Sequence, residues 1–192
     1  GLHAGHSVLL LLEPRTTWAD LADKAASVAA HELFHGWLGE AIRPAGPDLA
    51  WFVEGATTWY TARFLVETGT WTAERAEWVV GARIDQHYAR SALLGRETVA
   101  GAAADLLRDG ETTRFAYAGG CLAAASLDAW LAGEDAGARH PLDAVLRDLY
   151  ARRAEGPLDR AALEAAARRA AGRDCGPWLD QFVYGKQVLR RP

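Results

Sequence analysis

His31 and His35 stand four residues apart in Ala29-Ala30-His31-Glu32-Leu33-Phe34-His35-Gly36. On a helix this spacing puts both imidazoles on one face, one turn above the other. There they can share a tetrahedral zinc ion, whose nitrogen ligands sit at about 2.0–2.1 Å. Glu32, rotated about 100° from His31 at 3.6 residues per turn, stays out of that coordination sphere. It leans over the open face of the metal, where a general base is needed. The third protein ligand is Glu54, which follows His35 after eighteen intervening residues in Trp51-Phe52-Val53-Glu54-Gly55-Ala56-Thr57-Thr58. That gap holds a helix end, a turn with Pro44, Gly46 and Pro47, and the start of a second helix. An antiparallel pair joined in this way returns Glu54 to the level of the histidines. One zinc per chain, with three protein ligands and a fourth position for water, is the arrangement of a catalytic rather than a structural site. Its chemistry is metal-assisted hydrolysis, with Glu32 taking a proton from water and handing it to the leaving amine.

The elements that must hold these residues follow from periodicity and punctuation. Val8 to Leu12 is a short apolar run ended by Glu13-Pro14, which predicts a strand. The histidine-bearing helix is expected over about 19–38, capped by Thr17 or Asp20. A second helix is expected from Trp51 to Glu67, stopping at Gly69. A third starts at Thr70 or Thr72 and runs through Trp78, Ile84 and Tyr88. Residues 92–113 read as a loop with a helical piece around 100–108, and long loops of this kind are often functional. A fourth helix, over 113–131, is rich in Ala and Gly on one side, which permits close helix packing. Helices over 142–153, 158–171 and 177–183 complete a mainly α outline with one or two strands at its start.

Composition narrows the function. A chain of 192 residues that is 50% hydrophobic can bury the core of one domain. Net charge is −4 with no basic run, which argues against a nucleic-acid partner. No apolar run approaches the ~20 residues that span a bilayer. Cys121 and Cys175 are too few for a disulfide framework and sit in no metal-ligand spacing, so they read as buried thiols. The chain has no methionine and opens at Gly1, which is expected of a piece of a longer protein. His3 and His6 are spaced for opposite sides of an extended segment and are not expected to be ligands.

Together these stretches resemble the gluzincin zinc metallopeptidases and, among them, the glycyl aminopeptidase family. That family carries HExxH, a Trp two residues on, an Arg-Pro turn, and W-x-x-E-G with nearby Thr and Tyr. This chain has Trp37, Arg43-Pro44, Trp51, Glu54-Gly55, Thr58 and Tyr60. Gly95-Arg96 resembles the family's Gly-Arg loop, and Arg96 is either at the substrate cleft or on the solvated surface. Tyr117-Ala118-Gly119-Gly120 is similar to its Y-x-K-G segment, and Leu127-Asp128 to a Leu-Asp pair of the next helix.

The resemblance implies a thermolysin-like catalytic domain over residues 1–192. This would be a helical bundle with a short N-terminal β element beside the zinc helix, whose edge pairs with the substrate backbone. It implies a peptide substrate with a small N-terminal residue, Gly or Ala, and a flanking β-rich region, often with a PDZ domain. It makes Tyr117 the donor to the oxyanion of the tetrahedral intermediate, with Tyr60 next among the tyrosines. Trp37, Trp51 and Trp59 are expected to pack the two helices, or one of them to shape a small pocket. Two departures stand out. Gly119 replaces the family's Lys, and the family's Gly-Leu-Glu-His is here Gly1-Leu2-His3-Ala4, without the carboxylate that would hold a substrate's α-amino group. An endopeptidase of the same fold, or a peptidase-like binding domain that cuts nothing, are the competing readings.

Overall fold

The computed structural model describes residues 2–4, 7–9, 15, 17, 25–133 and 140–191. Strands β1 (Leu2–Ala4) and β2 (Ser7–Leu9) pair antiparallel, with Leu2 opposite Leu9 and Ala4 opposite Ser7. The pair abuts α1 (Ala26–Phe34). Val8 and Leu9 of the expected strand thus pair with the segment just upstream. Residues 10–14, His6 with the side chain of His3, and the start of the histidine-bearing helix with Asp20 lie outside the described residues.

Next come a 3-10 turn (Pro47–Leu49) and α2 (Ala50–Glu67). Helix α3 follows as one run in three registers: α over Ala73–Ala76, π over Glu77–Ile84 and α again over Asp85–Ala89. Its start is the expected one, since the Thr72 side chain accepts from the Arg75 N–H at 3.1 Å. The π register was not expected; within it, Gly81 lies beneath the Arg191–Glu77 ion pair, where a Cβ would collide with both side chains.

After α3 come α4 (Val99–Ala104), α5 (Gly110–Ala132), α6 (Pro141–Ala151), α7 (Arg160–Ala171) and α8 (Gly176–Phe182). The domain is mainly α, as a gluzincin catalytic domain should be. Helix α5 starts at Gly110 rather than 113 because Asp109 accepts from the Thr112 N–H at 2.7 Å, which shortens the expected loop. By length and composition alone α5 could cross a membrane, which no short apolar run had suggested, but 72% of its most apolar window is buried inside the protein. That is the character of a core helix.

The centre of the fold is the crossing of α2 and α5. A Cβ on Gly55 would overlap the Gly120 carbonyl group, and one on Gly120 would reach the Trp51 carbonyl oxygen and, at 3.1 Å, the Gly55 Cα. Only two glycines allow the backbones this close. Around the contact Trp51, Phe52, Phe115, Leu122 and Leu127 are fully buried. Asp128 is also buried, and its carboxylate accepts from the Leu142 N–H at 2.9 Å and pairs with His140 Nδ1 at 2.7 Å, capping α6. Cys121 and Cys175 are buried free thiols; burial pushes the first up to about 12 and the second up to about 11.

Candidate metal centre

Helix α1 presents its two histidines as the four-residue spacing requires, but it stops at Phe34 instead of continuing to Leu38. The chain tightens through Gly36 N–H to Leu33 O and Trp37 N–H to Phe34 O, then bridges Leu38 to Ile42. Gly39 permits this fold-back: its φ is +131°, and its missing Cβ leaves room beside the His35 ring. The early end matters to the site. It brings the Leu38 carbonyl oxygen to 3.1 Å from His35 Nδ1. A neutral ring that donates through Nδ1 presents its Nε2 lone pair to the cluster, and such a partner fixes both tautomer and ring orientation.

Helix α2 brings in Glu54 from the other side. Its Oε2 lies 3.3 Å from His31 Nε2 and 3.5 Å from His35 Nε2, and the two Nε2 atoms are 3.1 Å apart. Three ligand atoms from two antiparallel helices therefore converge, each side chain less than one-fifth exposed. The residues fit a metal. Ligands at zinc's usual distance on a tetrahedron are separated by roughly 3.3–3.4 Å along each edge, the spacing found here. Protons between the three atoms satisfy them less well than one cation would, because each points a lone pair at the same volume.

The electrostatics match that geometry. Burial works against the charged Glu54 carboxylate, yet hydrogen bonds from His31 and His35, the charge of His35 and the Tyr117 hydroxyl hold it well below the usual carboxylate range. Burial likewise opposes a charged His35, but the Glu54 hydrogen bond and charge outweigh it and raise the ring's pKa. Tyr117 projects from α5 one turn before Gly120, with its ring 6.2 Å from that of His31 and its hydroxyl bonded to Glu54. Burial first, then the charges of Glu54 and Glu32, raise its pKa, so the phenol is a neutral donor. The Glu32 charge is felt by both His35 and Tyr117. With His31 it lines a cavity of ≈ 290 Å³, walled by Val28, Thr58, Trp71 and Val80.

A sequence model of the peptidase family M1 domain matches residues 1–135, which include every residue of this cluster. The chain belongs to peptidase family M1. The family is one of zinc-dependent peptidases, generally aminopeptidases, so this M1 domain is a metallopeptidase by family. No curated relative matches the sequence.

Within the M1 domain, several expected residues lie away from the cluster. The Tyr60 hydroxyl donates to Asp143 Oδ1 at 2.6 Å, and its ring stacks on Phe34. Arg63 donates to the same carboxylate at 2.8 Å. That phenol is therefore committed to joining α2 and α6. Trp51 is in the core and Trp59 is half-buried, whereas Trp37 is 56% exposed beside Phe34. None of the three lines the cavity beside Glu32. Arg96 is exposed in the turn after Gly95. The residues that sequence reasoning missed are Thr61, Trp71 and Val80 of that cavity. The signal for Thr58 and Thr61 was present, because they follow Glu54 by four and seven residues on one helical face. Nothing local announces Trp71, which arrives from beyond the turn at Gly69.

Proposed function

We propose that this M1 domain is a zinc-dependent aminopeptidase for peptides with small N-terminal residues, Gly or Ala. The observation that carries the reading is the convergence of His31, His35 and Glu54 at the edge lengths of a zinc tetrahedron. These three residues would hold one zinc ion. Zinc there would supply the Lewis acidity that acidifies water and polarises a carbonyl.

The chain's own residues do the rest. Glu32, outside the ligand set and facing the cavity, accepts the proton of the attacking water and returns it to the leaving amine. Tyr117 exchanges its hydrogen bond to Glu54 for one to the developing oxyanion, and its raised pKa keeps the donated proton in place. The hydroxyls of Thr58 and Thr61 bond back to their own helix at 2.8 Å each, so the cavity walls beside Glu32 are largely apolar. At ≈ 290 Å³ the cavity lies at the small end of ligand sites, about 300–1,000 Å³. Its size supports a small side chain.

The test is zinc stoichiometry measured with hydrolysis of paired peptides, free and N-acetylated, that begin with Gly, Ala, Leu or Phe. The reading expects one zinc per chain, cleavage of the free Gly and Ala peptides, and no cleavage of the blocked ones. Cleavage of blocked peptides would favour an endopeptidase, in keeping with His3 standing where the glycyl aminopeptidases have a carboxylate. Preference for Leu or Phe would overturn the small-residue assignment alone.

A further inference from the structure

Helix α3 has two working faces. Val79 and Val80 line the cavity beside Glu32, while Trp78, Arg83, His87 and Arg90 line a second cleft of ≈ 370 Å³, completed by Arg114 and Glu111 of α5. Among the described residues lining it, Glu111 alone is acidic, and its carboxylate is already committed. It accepts from Ser91 Oγ at 2.6 Å, from the Ala92 N–H at 3.1 Å and from Arg114 at 3.2 Å. The guanidinium groups of Arg83 and Arg90 make no hydrogen bond or ion pair among the described residues. They lie seven residues apart on one helix face, with His87 between them. Two guanidinium groups in a concave site, beside a third only partly offset, thus have no neutralising partner among the described residues. At the rim Trp78 is 50% exposed, and the Arg75 guanidinium sits 4.8 Å from its ring centroid. The π register over Glu77–Ile84 carries the first half of this face, and π segments recur at functional sites.

We propose that this cleft binds a phosphorylated small molecule bearing a planar ring, of the nucleoside monophosphate class. Arg83, Arg90 and Arg114 hold the phosphate and Trp78 stacks on the ring. Arginine forks match the tetrahedral oxygens of a phosphate, and three of them favour a dianion over a single carboxylate. The volume is right for a whole small ligand rather than a lone ion. The site is separate from the metal cluster and does not depend on the proposed peptidase reaction.

Calorimetric titration of the intact chain with AMP, inorganic phosphate and adenosine, at low salt, tests this. AMP should bind saturably at one site, phosphate at least about tenfold more weakly for want of stacking, and adenosine undetectably. Arg83→Gln/Arg90→Gln should weaken AMP by about tenfold or more through the lost charge-assisted bonds. Trp78→Ala should bring AMP down to the level of phosphate. Arg96→Gln/Arg147→Gln, which removes two exposed arginines elsewhere, should leave binding intact. AMP binding that persists in the Arg83→Gln/Arg90→Gln protein would place the phosphate elsewhere, the metal cluster included, and overturn the proposal. Equal loss in the Arg96→Gln/Arg147→Gln control would reduce it to general charge attraction. Adenosine binding as well as AMP, or no AMP binding by the wild type, would also refute it.

Discussion

Glu32 and His31 are neighbours in sequence but face different tasks, and that difference is measurable. Glu32 lies outside the cluster of His31, His35 and Glu54, so Glu32→Gln should keep its zinc while kcat falls by about 10²–10⁴-fold, the usual contribution of a positioned acid–base group. Elemental analysis beside a peptide assay reads both, and a variant stripped of zinc would make Glu32 a structural part of the cage. Tyr117→Phe deletes one hydroxyl and leaves the ring that lies 6.2 Å from His31. An oxyanion donor should cost about 10²–10³-fold in kcat with KM little changed. If instead KM rose while kcat held, the hydroxyl would be serving the substrate's ground state. At this scale the sequence was readable where chemistry fixes spacing. The convergence of His31, His35 and Glu54 was legible, because four residues is one helical turn and a zinc cage needs a third ligand. Tyr60 was misread as the next tyrosine because Asp143, eighty-three residues away in the chain, claims its hydroxyl.

Between elements, two contacts set where Glu54 stands. The first is the glycine crossing of α2 and α5, one residue past Glu54 and three past Tyr117. Gly55→Ala and Gly120→Ala each drive a methyl into the opposing backbone, and overpacking of this kind costs about 1–3 kcal/mol. Both should lower Tm, and both should lower kcat beyond what the lost stability explains, since the helices part where the hydroxyl meets the carboxylate. A variant with lower Tm and full activity would show that the crossing does not position the site. The second contact is the Tyr60–Asp143–Arg63 tie between α2 and α6. Burial opposes the Asp143 charge, but Arg63 and Tyr60 outweigh it and depress its pKa. A depressed folded pKa gives stability that is present above the unfolded value, about 3.9, and lost as pH falls through the folded one. The Tm gap between wild type and Asp143→Asn should therefore stay level above about pH 4 and narrow below it. A gap that widens on acidification would reverse the sign and refute the tie. The Ala and Gly side of α5 foretold close packing, but its partner could not be read, because a glycine's neighbour is decided by the other helix.

Over the whole molecule, the antiparallel α1–α2 pair was legible and its closure was not. Hydrophobic period and the turn at Pro44, Gly46 and Pro47 predict the return of the chain. The early end of α1 depends on Gly39 folding back so that Leu38 meets Ile42, a tertiary bridge with no local signature. The same closure decides what metal removal should do. Without an ion, the three lone pairs of His31, His35 and Glu54 meet across 3.1–3.5 Å, and protons shared among them are all that joins the imidazoles to the carboxylate. A metal bound there links α1 to α2, and α2 carries the crossing with α5 on which the core is built. Metal bound to the folded chain at a thousand times its Kd adds about 4.1 kcal/mol. For a domain of this size each kcal/mol moves Tm by roughly 2–4 °C, so chelation should lower Tm by roughly 8–16 °C, and added zinc should restore it. His35→Ala should start at the lower Tm and respond to neither treatment. If the wild type melts at one temperature with and without chelator while its metal content falls to zero, the ion is no part of what holds α1 to α2. The cluster's geometry would then be owed to packing alone.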